Sequence, residues 1–462
     1  MTSICKVSYV NGVEIRRFGT DHILDTAAAD GSLQQLEFAA TLPGAKLVVS
    51  MPDCHHGYTF PIGSVVAVDA ENGDICPGGI GFDIGCGMKV ITTDLDARYI
   101  GDYKEKFGHE LSRSCPAGMY SEGSSRLEEV IDQILLGKWS KLITSSLEGK
   151  DFINCEDQGS ISTGVESLED LEIPERIINV AKRQLGSLGS GNHFAEVDVV
   201  TNISNQAIAE TYGLRENQIV IQIHCGSRGF GYKLCDLNIR AMAEKTGLTR
   251  NKEAAHVPIR SEEGQRYIKH MNAAANFAFM NRYILGMNIK KAIYSTFGYV
   301  HTAPLYDLMH NIAKREIHKI GNQDLDVYVM RKGATRAMGP HSDLIPDNYS
   351  AVGQPVLVPG SMGSNSYILA GSDKSASLSL SSSCHGAGRA MGRNASSRLE
   401  DWKETERKLQ DAGIIIHSSN KKELSEERPE AYKDVLEVVN VIDSFGIASI
   451  VATLSPLIVI KG

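Results

Sequence analysis

Short apolar runs alternate along this chain with glycine-rich polar clusters, and the period of the runs changes from one stretch to the next. Ser64–Ala70, Met88–Thr93, Ile219–His224 and Pro355–Pro359 are brief apolar segments bounded by turn-forming residues, so they predict strands. In Ile173–Arg183, Gly264–Gly286, Tyr306–Arg315 and Ala431–Phe445 apolar residues recur at intervals of three and four, which predicts helices. Leu457–Gly462 reads as a final strand ending on Lys461. Two charged, Gly- and Ser-containing stretches, 147–170 and 394–430, read as surface excursions or a lid. No internal repeat and no linker interrupts the chain between Asp53 and His385. The expectation is therefore one α+β domain over residues 1–462.

Composition narrows the classes. With 462 residues the chain can bury a large core, and 42% hydrophobic with 22% charged residues excludes disordered, collagen-like and coiled-coil proteins. The 47 basic and 56 acidic side chains leave a net charge of −9, so contact with nucleic acid must come from a local basic patch. Nine scattered cysteines show no disulfide-scaffold spacing and fit a reducing compartment. Met1–Gly19 lacks the apolar core of a signal peptide. Ile447–Ile460 is too short to span a bilayer and is broken by Ser455 and Pro456. The expected location is the cytoplasm.

The glycine clusters carry the candidate chemistry: Cys76–Gly87, Gly186–His193, Gly226–Gly231, Pro359–Gly363 and His385–Gly388. Glycine lets backbone approach a ligand closely, so clusters that also hold His, Cys or Ser suggest a site built from loops. Asp83 and Cys86 stand three apart among glycines. With His193, His224 at the end of a predicted strand and His310 in a predicted helix, they are the residue types that hold one or two transition-metal ions. A bridging thiolate would bring two ions within roughly 3.5–4 Å of each other, a spacing suited to phosphoryl chemistry. Thiolate and imidazole also suit Zn²⁺ and Co²⁺, so ligand type alone does not choose the metal. His385 differs from these in being followed by small residues and then Arg389 and Arg393. Neutral imidazole can attack phosphorus, small neighbours leave it accessible, and arginines hold phosphate oxygens bidentately. Arg228, Arg331, Lys332 and Arg336 offer a local positive patch. The chain has no G-x-x-x-x-G-K-[ST] loop, no clean G-x-G-x-x-G and no Lys-x-Asp-Gly signature, which leaves histidine as the candidate for nucleotide activation. The alternative is a binuclear metal phosphoesterase, which would use the same metals but no covalent nucleotide.

The ordered motifs Met51–Gly57, Gly189–His193, His224–Gly229, His310-Asn311, Arg331–Arg336 and Cys384–Arg389, with the terminal Val459–Gly462, resemble the RtcB family of GTP-dependent RNA-splicing ligases over nearly the whole chain. The resemblance implies mixed sheets flanked by helices and the joining of an RNA 3′-phosphate or 2′,3′-cyclic phosphate to a 5′-hydroxyl. It implies two Mn²⁺ ions, one held by Cys86, His224 and His310 and the other by Asp83, Cys86 and His193. It further implies attack of His385 on GTP to give a covalent histidine–GMP. Asn192, Ser361, Ser366, Glu196, Tyr432 and Lys461 would surround the guanylate, and Arg228, Lys332 and Arg393 would hold the RNA terminal phosphate. The implied partners are RNA, in the form of broken or spliced tRNA halves, and an archease-type activator. Cys225 stands where many relatives carry Ser or Thr, and Gly392 where Ser is common. Both sit beside functional residues, and Cys225 together with the acidic surface keeps open an RNA-repair paralogue that does not act on tRNA.

Overall fold

The structure, a computed structural model, describes residues 2–123, 129–139 and 151–462. Two sheets carry the architecture. The first has the order β1-β2-β3-β4-β12-β11, with β1 Ile4–Val10, β2 Val13–Gly19, β3 Ala45–His55, β4 Ile62–Asp69, β11 Asn311–Ile320 and β12 Gln323–Lys332. The second runs β10-β6-β8-β7-β18-β15-β14, with β6 Gly87–Asp96, β7 Phe194–Ile203, β8 Gln218–Cys225, β10 Thr302–Met309, β14 Pro355–Val358, β15 Ser366–Gly371 and β18 Ala448–Lys461; β17, Ile415–Ser418, adds to β18 in parallel. Two short pairs complete the strands: β5 Asp74–Ile75 with β9 Val257–Pro258, and β13 Ala334–Arg336 with β16 Ser382–Cys384. The fold is thus α+β with mixed sheets, because β2–β3 and β17–β18 are parallel among antiparallel neighbours.

The predicted helices at 173–183, 264–286 and 431–445 appear as Glu175–Gln184, Glu262–Phe297 and Val435–Phe445. The longest is capped by Ser261, whose hydroxyl accepts from Gly264 N–H, and has Glu262 and Glu263 in its first turn, as a helix N-terminus favours. It packs Leu285, Ile289 and Ile293 against Ile91, Ile221 and Ile223, and so covers one face of the second sheet.

Tyr306–Arg315 is not a helix. It forms the end of β10 and the start of β11, with His310 at the corner where the chain leaves one sheet for the other. Leu305, Tyr306, Leu308 and Met309 are all buried, so β10 is covered on both faces and loses the alternation that would have marked it as a strand. The change of sheet at His310 then spaces the remaining apolar residues as a helix would. The 394–430 stretch contains the helices Arg393–Leu399, Trp402–Asp411 and Lys421–Glu426 together with β17. Of the 147–170 stretch, residues 147–150 lie outside the described residues, and from Asp151 onward it includes the 3-10 turns Glu156–Gly159 and Glu169–Leu171. Among the described residues no helix is long and apolar enough to cross a membrane.

Candidate active site

Four of the glycine clusters border one cavity of about 330 Å³, and the fifth, Gly226–Gly231, borders the groove beside it. Register explains much of the cavity wall. His224 on β8 pairs with Phe194 on β7, which pairs with Lys461 on β18, so these three side chains project from one rung and one face of the second sheet. Two residues along, Gln222 pairs with Glu196 on that same face. Strand alternation alone therefore places a metal-ligand candidate beside Glu196 and Lys461. The C-terminal strand is internal to the sheet, and Lys461 is buried.

Two donor groups share Cys86. Cys86, His224 and His310 form one and Asp83, Cys86 and His193 the other, with the candidate ligand atoms of each group within 4.8 Å of one another. Cys86 Sγ lies 3.3 Å from His224 Nε2 and 3.5 Å from His193 Nε2, and His224 Nε2 lies 3.3 Å from His310 Nε2. The hydrogen bonds on the far side of the rings define what faces inward. His193 Nδ1 donates to Leu188 O at 3.0 Å and His224 Nδ1 donates to Asn192 O at 3.0 Å, which turns each Nε2 lone pair towards the centre. His193 Nε2 then lies 2.8 Å from Asp83 Oδ2, a contact that either a proton on the ring or a cation held by both atoms satisfies. Burial lowers the pKa of His224 and His310 well below the imidazole range, so both stay neutral and able to ligate. Burial also pushes the Cys86 thiol up to about 12, so a thiolate there needs a neighbouring positive charge. Donor types, inward lone pairs and an uncompensated thiol together fit divalent metal ions.

His385 follows β16 and sits on the opposite wall, its ring 4.8 Å centroid to centroid from that of His310. Asp53, fully buried on β3, accepts from His385 Nδ1 at 2.7 Å and from the His385 backbone N–H at 2.9 Å. Asp53 therefore fixes both the tautomer and the ring orientation, leaving Nε2 as the nitrogen available to the cavity. Gly388 is required for this approach: it has φ +72°, and a Cβ there would stand 2.1 Å from Asp53 O. Gly226 does the same for the metal group, since its Cβ would meet the Asp83 carboxylate at 2.5 Å.

The remaining expected site residues divide into two sets. Asn192, Glu196, Ser361, Tyr432, Lys461, Lys332 and Arg393 line the cavity. Burial, and then Asp198 beside it, raise the Glu196 pKa well above the carboxylate range. Ser366 acts at one remove, its hydroxyl accepting from Gly360 N–H at 3.0 Å and so shaping the 359–363 loop. Arg228 lines a second, adjoining groove, where its guanidinium donates to Gly118 O at 3.0 Å and to the Ser187 hydroxyl at 3.2 Å. Lys332 is buried, and its ammonium donates to the carbonyls of Tyr58, Phe60 and Gly78. All three of its N–H groups are thereby engaged, and burial lowers its pKa to about 8. In this arrangement Lys332 ties loops together, and contact with a phosphate would need one of those bonds to exchange. Arg393 faces both cavities, pairing with Glu427 at 3.2 Å.

Sequence reasoning missed three organising residues. Asp53 lies within an apolar strand, 332 positions from its partner. Asn281 and Arg282 project from the long helix: Asn281 accepts from Gly186 N–H and donates to Ser187 O, while Arg282 donates to Gly85 O, Cys225 O and Asp307. One helical turn thereby ties three glycine loops together. Polar residues within the apolar run of the helix, Asn281 and Arg282 together with the buried His270 and Asn276, were the available signal.

Cys225 belongs to neither donor group and lies behind the His193 ring, its Sγ 3.9 Å from His193 Nδ1 on the side away from Cys86. Its thiol donates to Leu188 O at 2.8 Å and accepts from Asn281 at 3.1 Å. A serine hydroxyl can make both bonds, so Cys225→Ser should retain metal affinity and activity within about twofold, as the difference between two similar hydrogen bonds is well under 1 kcal/mol. Titration calorimetry with Mn²⁺ checks this, and a tenfold weakening would show that Cys225 contributes to the metal site.

The family described as "tRNA-splicing ligase RtcB" matches residues 35–462. Among curated relatives, the tRNA-splicing ligase RtcB of Thermococcus kodakarensis is 38% identical, covering 97% of this chain and 94% of its own. That of Archaeoglobus fulgidus is 37% identical, covering 93% and 91%, and RNA-splicing ligase RtcB homolog 1 of Entamoeba dispar is 38% identical, covering 93% and 82%. A match spanning the chain from β3 to the buried C-terminal strand includes every residue of the converging loops, and on that basis the protein belongs to the RtcB family.

Proposed function

We propose that this protein is an RNA ligase that joins an RNA 3′-phosphate or 2′,3′-cyclic phosphate end to a 5′-hydroxyl end, using GTP and divalent metal through a covalent His385–GMP. The observation that carries the reading is the Asp53-oriented His385 in ring contact with His310 of the donor groups. A metal phosphoesterase could use the same imidazole only to protonate a leaving oxygen, so the two readings part at whether His385 takes up a covalent nucleotide.

In this mechanism two Mn²⁺ ions would be held by Cys86, His224 and His310 and by Asp83, Cys86 and His193. Bound there they would neutralise charge on phosphate oxygens. Asp53 holds the His385 Nε2 lone pair towards the α-phosphorus of GTP. The Nε2–P bond forms as the bond to pyrophosphate breaks, and Asp53 stabilises the positive charge that develops on the ring. A cyclic end is first opened by water, which breaks the P–O2′ bond and leaves a 3′-phosphate; an oxygen of that phosphate takes the guanylate as the Nε2–P bond breaks, and the 5′-hydroxyl attacks the activated end and releases GMP. Arg393, which faces both cavities, is the cation best placed for the RNA terminal phosphate, and Arg228 and Lys332 form the walls around it. The RNA would be broken or spliced tRNA halves, with an archease-type protein as activator.

Glu196 and Lys461 would read the base, with Asn192, Ser361 and Tyr432 around the nucleotide and Ser366 supporting the 359–363 loop. An ionised Glu196 accepts from guanine N1–H and the exocyclic amine, and Lys461 donates to the carbonyl oxygen; adenine satisfies neither. Lys461→Met keeps the buried stem and should weaken GTP use roughly 10- to 100-fold relative to ATP, the value of a charged hydrogen bond. Since the Glu196 pKa is raised and guanine needs the ionised form, preference for GTP should grow as pH rises. Competition of ATP against labelled GTP at several pH values checks both. Sealing of a 3′-phosphate RNA to a 5′-hydroxyl RNA, dependent on GTP and Mn²⁺, tests the activity itself, and phosphate release without joining would favour the phosphoesterase.

A further inference from the structure

Beside the catalytic cavity runs a groove of about 780 Å³ whose wall includes Arg183, Arg228, Lys233 and Arg393 against only Asp83 and Glu122 as acids. This is a basic strip on a chain of net charge −9. An aromatic ridge separates groove from cavity. Phe82 borders both, immediately before Asp83, and its ring stacks on that of Tyr232 with centroids 4.9 Å apart and planes at 25°. Tyr58 meets Phe82 edge-on at 5.8 Å. Single exposed aromatics are ordinary, but here Tyr232 remains 54% and Tyr58 67% exposed in one contiguous group at the mouth of a site. Parallel rings beside a basic groove are what sequence-independent binding of single-stranded nucleic acid requires, because every base offers a π-face while cations follow the backbone.

We propose that the Phe82–Tyr232 stack is a platform for the terminal nucleobase of an RNA end, holding that nucleotide so that its phosphate or hydroxyl reaches the Asp83–Cys86 donor groups. The inference rests on the ligase reading and adds to it a base-stacking subsite indifferent to base identity. Phe82 fixes the distance, being bonded in sequence to Asp83, and Tyr232 supplies the accessible face.

The test uses the full chain with Tyr232→Ala and Tyr232→Phe. The probes are fluorescent RNAs ending in a 3′-phosphate or in a 5′-hydroxyl, each with an ordinary or an abasic terminal nucleotide. Tyr232→Ala should weaken binding of one ordinary end on the order of tenfold, and Tyr232→Phe should restore it. The parent should lose about the same factor when that terminal base is removed, and Tyr232→Ala should lose nothing further on the abasic RNA. Which of the two ends responds identifies the strand the platform holds. Parental affinity of Tyr232→Ala for both ends, or an equal loss on ordinary and abasic RNA, overturns the platform. Transfer of labelled GMP to the protein is read in parallel. Its absence from the parent would count against the ligase reading, whereas normal transfer with base-independent binding would count against the platform alone.

Discussion

His385→Ala is expected to eliminate covalent guanylylation while the protein still folds and binds metal with parental stoichiometry. The alanine methyl cannot attack phosphorus, and His385 belongs to neither donor group, so the loss should be complete and confined to nucleotide chemistry. The substitution leaves the buried Asp53 carboxylate with only the backbone N–H at position 385 as partner, so far-ultraviolet circular dichroism and Mn²⁺ titration calorimetry are needed to separate a folding cost from lost chemistry. A graded companion is Asp53→Asn. It keeps an oxygen near the ring but removes the charge that stabilises the developing imidazolium, so guanylylation should slow about 10²- to 10⁴-fold. Covalent labelling of His385→Ala at the parental rate would remove His385 from the mechanism.

The second large effect is at Cys86. Its sulfur is common to both donor groups and is the centre from which two imidazoles lie 3.3 and 3.5 Å away. Serine is close in shape, yet its hydroxyl does not ionise to an anion that could bridge two cations. Cys86→Ser should therefore weaken metal binding and sealing by more than about 100-fold, above the usual effect of losing a residue that merely orients a ligand. The contrast with Cys225→Ser is informative because the two cysteines are both buried and lie at adjoining strand ends, paired through Gly87 and Cys225. Equal metal affinity of Cys86→Ser and the parent would contradict the shared-thiolate arrangement.

Which parts of this were legible in the sequence follows from the range of the interactions. Cys86, His193, His224 and His385 stand out because loops that let backbone approach a ligand need glycine, and the glycines flag their neighbours. Lys461 was legible because an apolar strand runs directly into it. His310 is legible as a donor, but the spacing around it predicts a helix, since β10 is buried on both faces and the chain switches sheets at that position. Asp53 was hidden because an acid in an apolar strand gains its meaning only from a partner 332 positions away. Lys332 illustrates the converse. Its Gly-flanked basic context reads as an anion site, whereas three carbonyls from distant loops already surround its ammonium. The strand register that aligns His224, Phe194 and Lys461 depends on pairing between β8, β7 and β18, a long-range property that no local period reports.

The most direct test is incubation of the protein with Mn²⁺ and GTP labelled at the α-phosphate, followed by denaturation and peptide mapping. The account predicts label that survives denaturation, is stable to alkali and labile to acid as a phosphorus–nitrogen bond should be, and maps to the peptide containing His385. Label that washes away on denaturation, or that maps to any other residue, would contradict it.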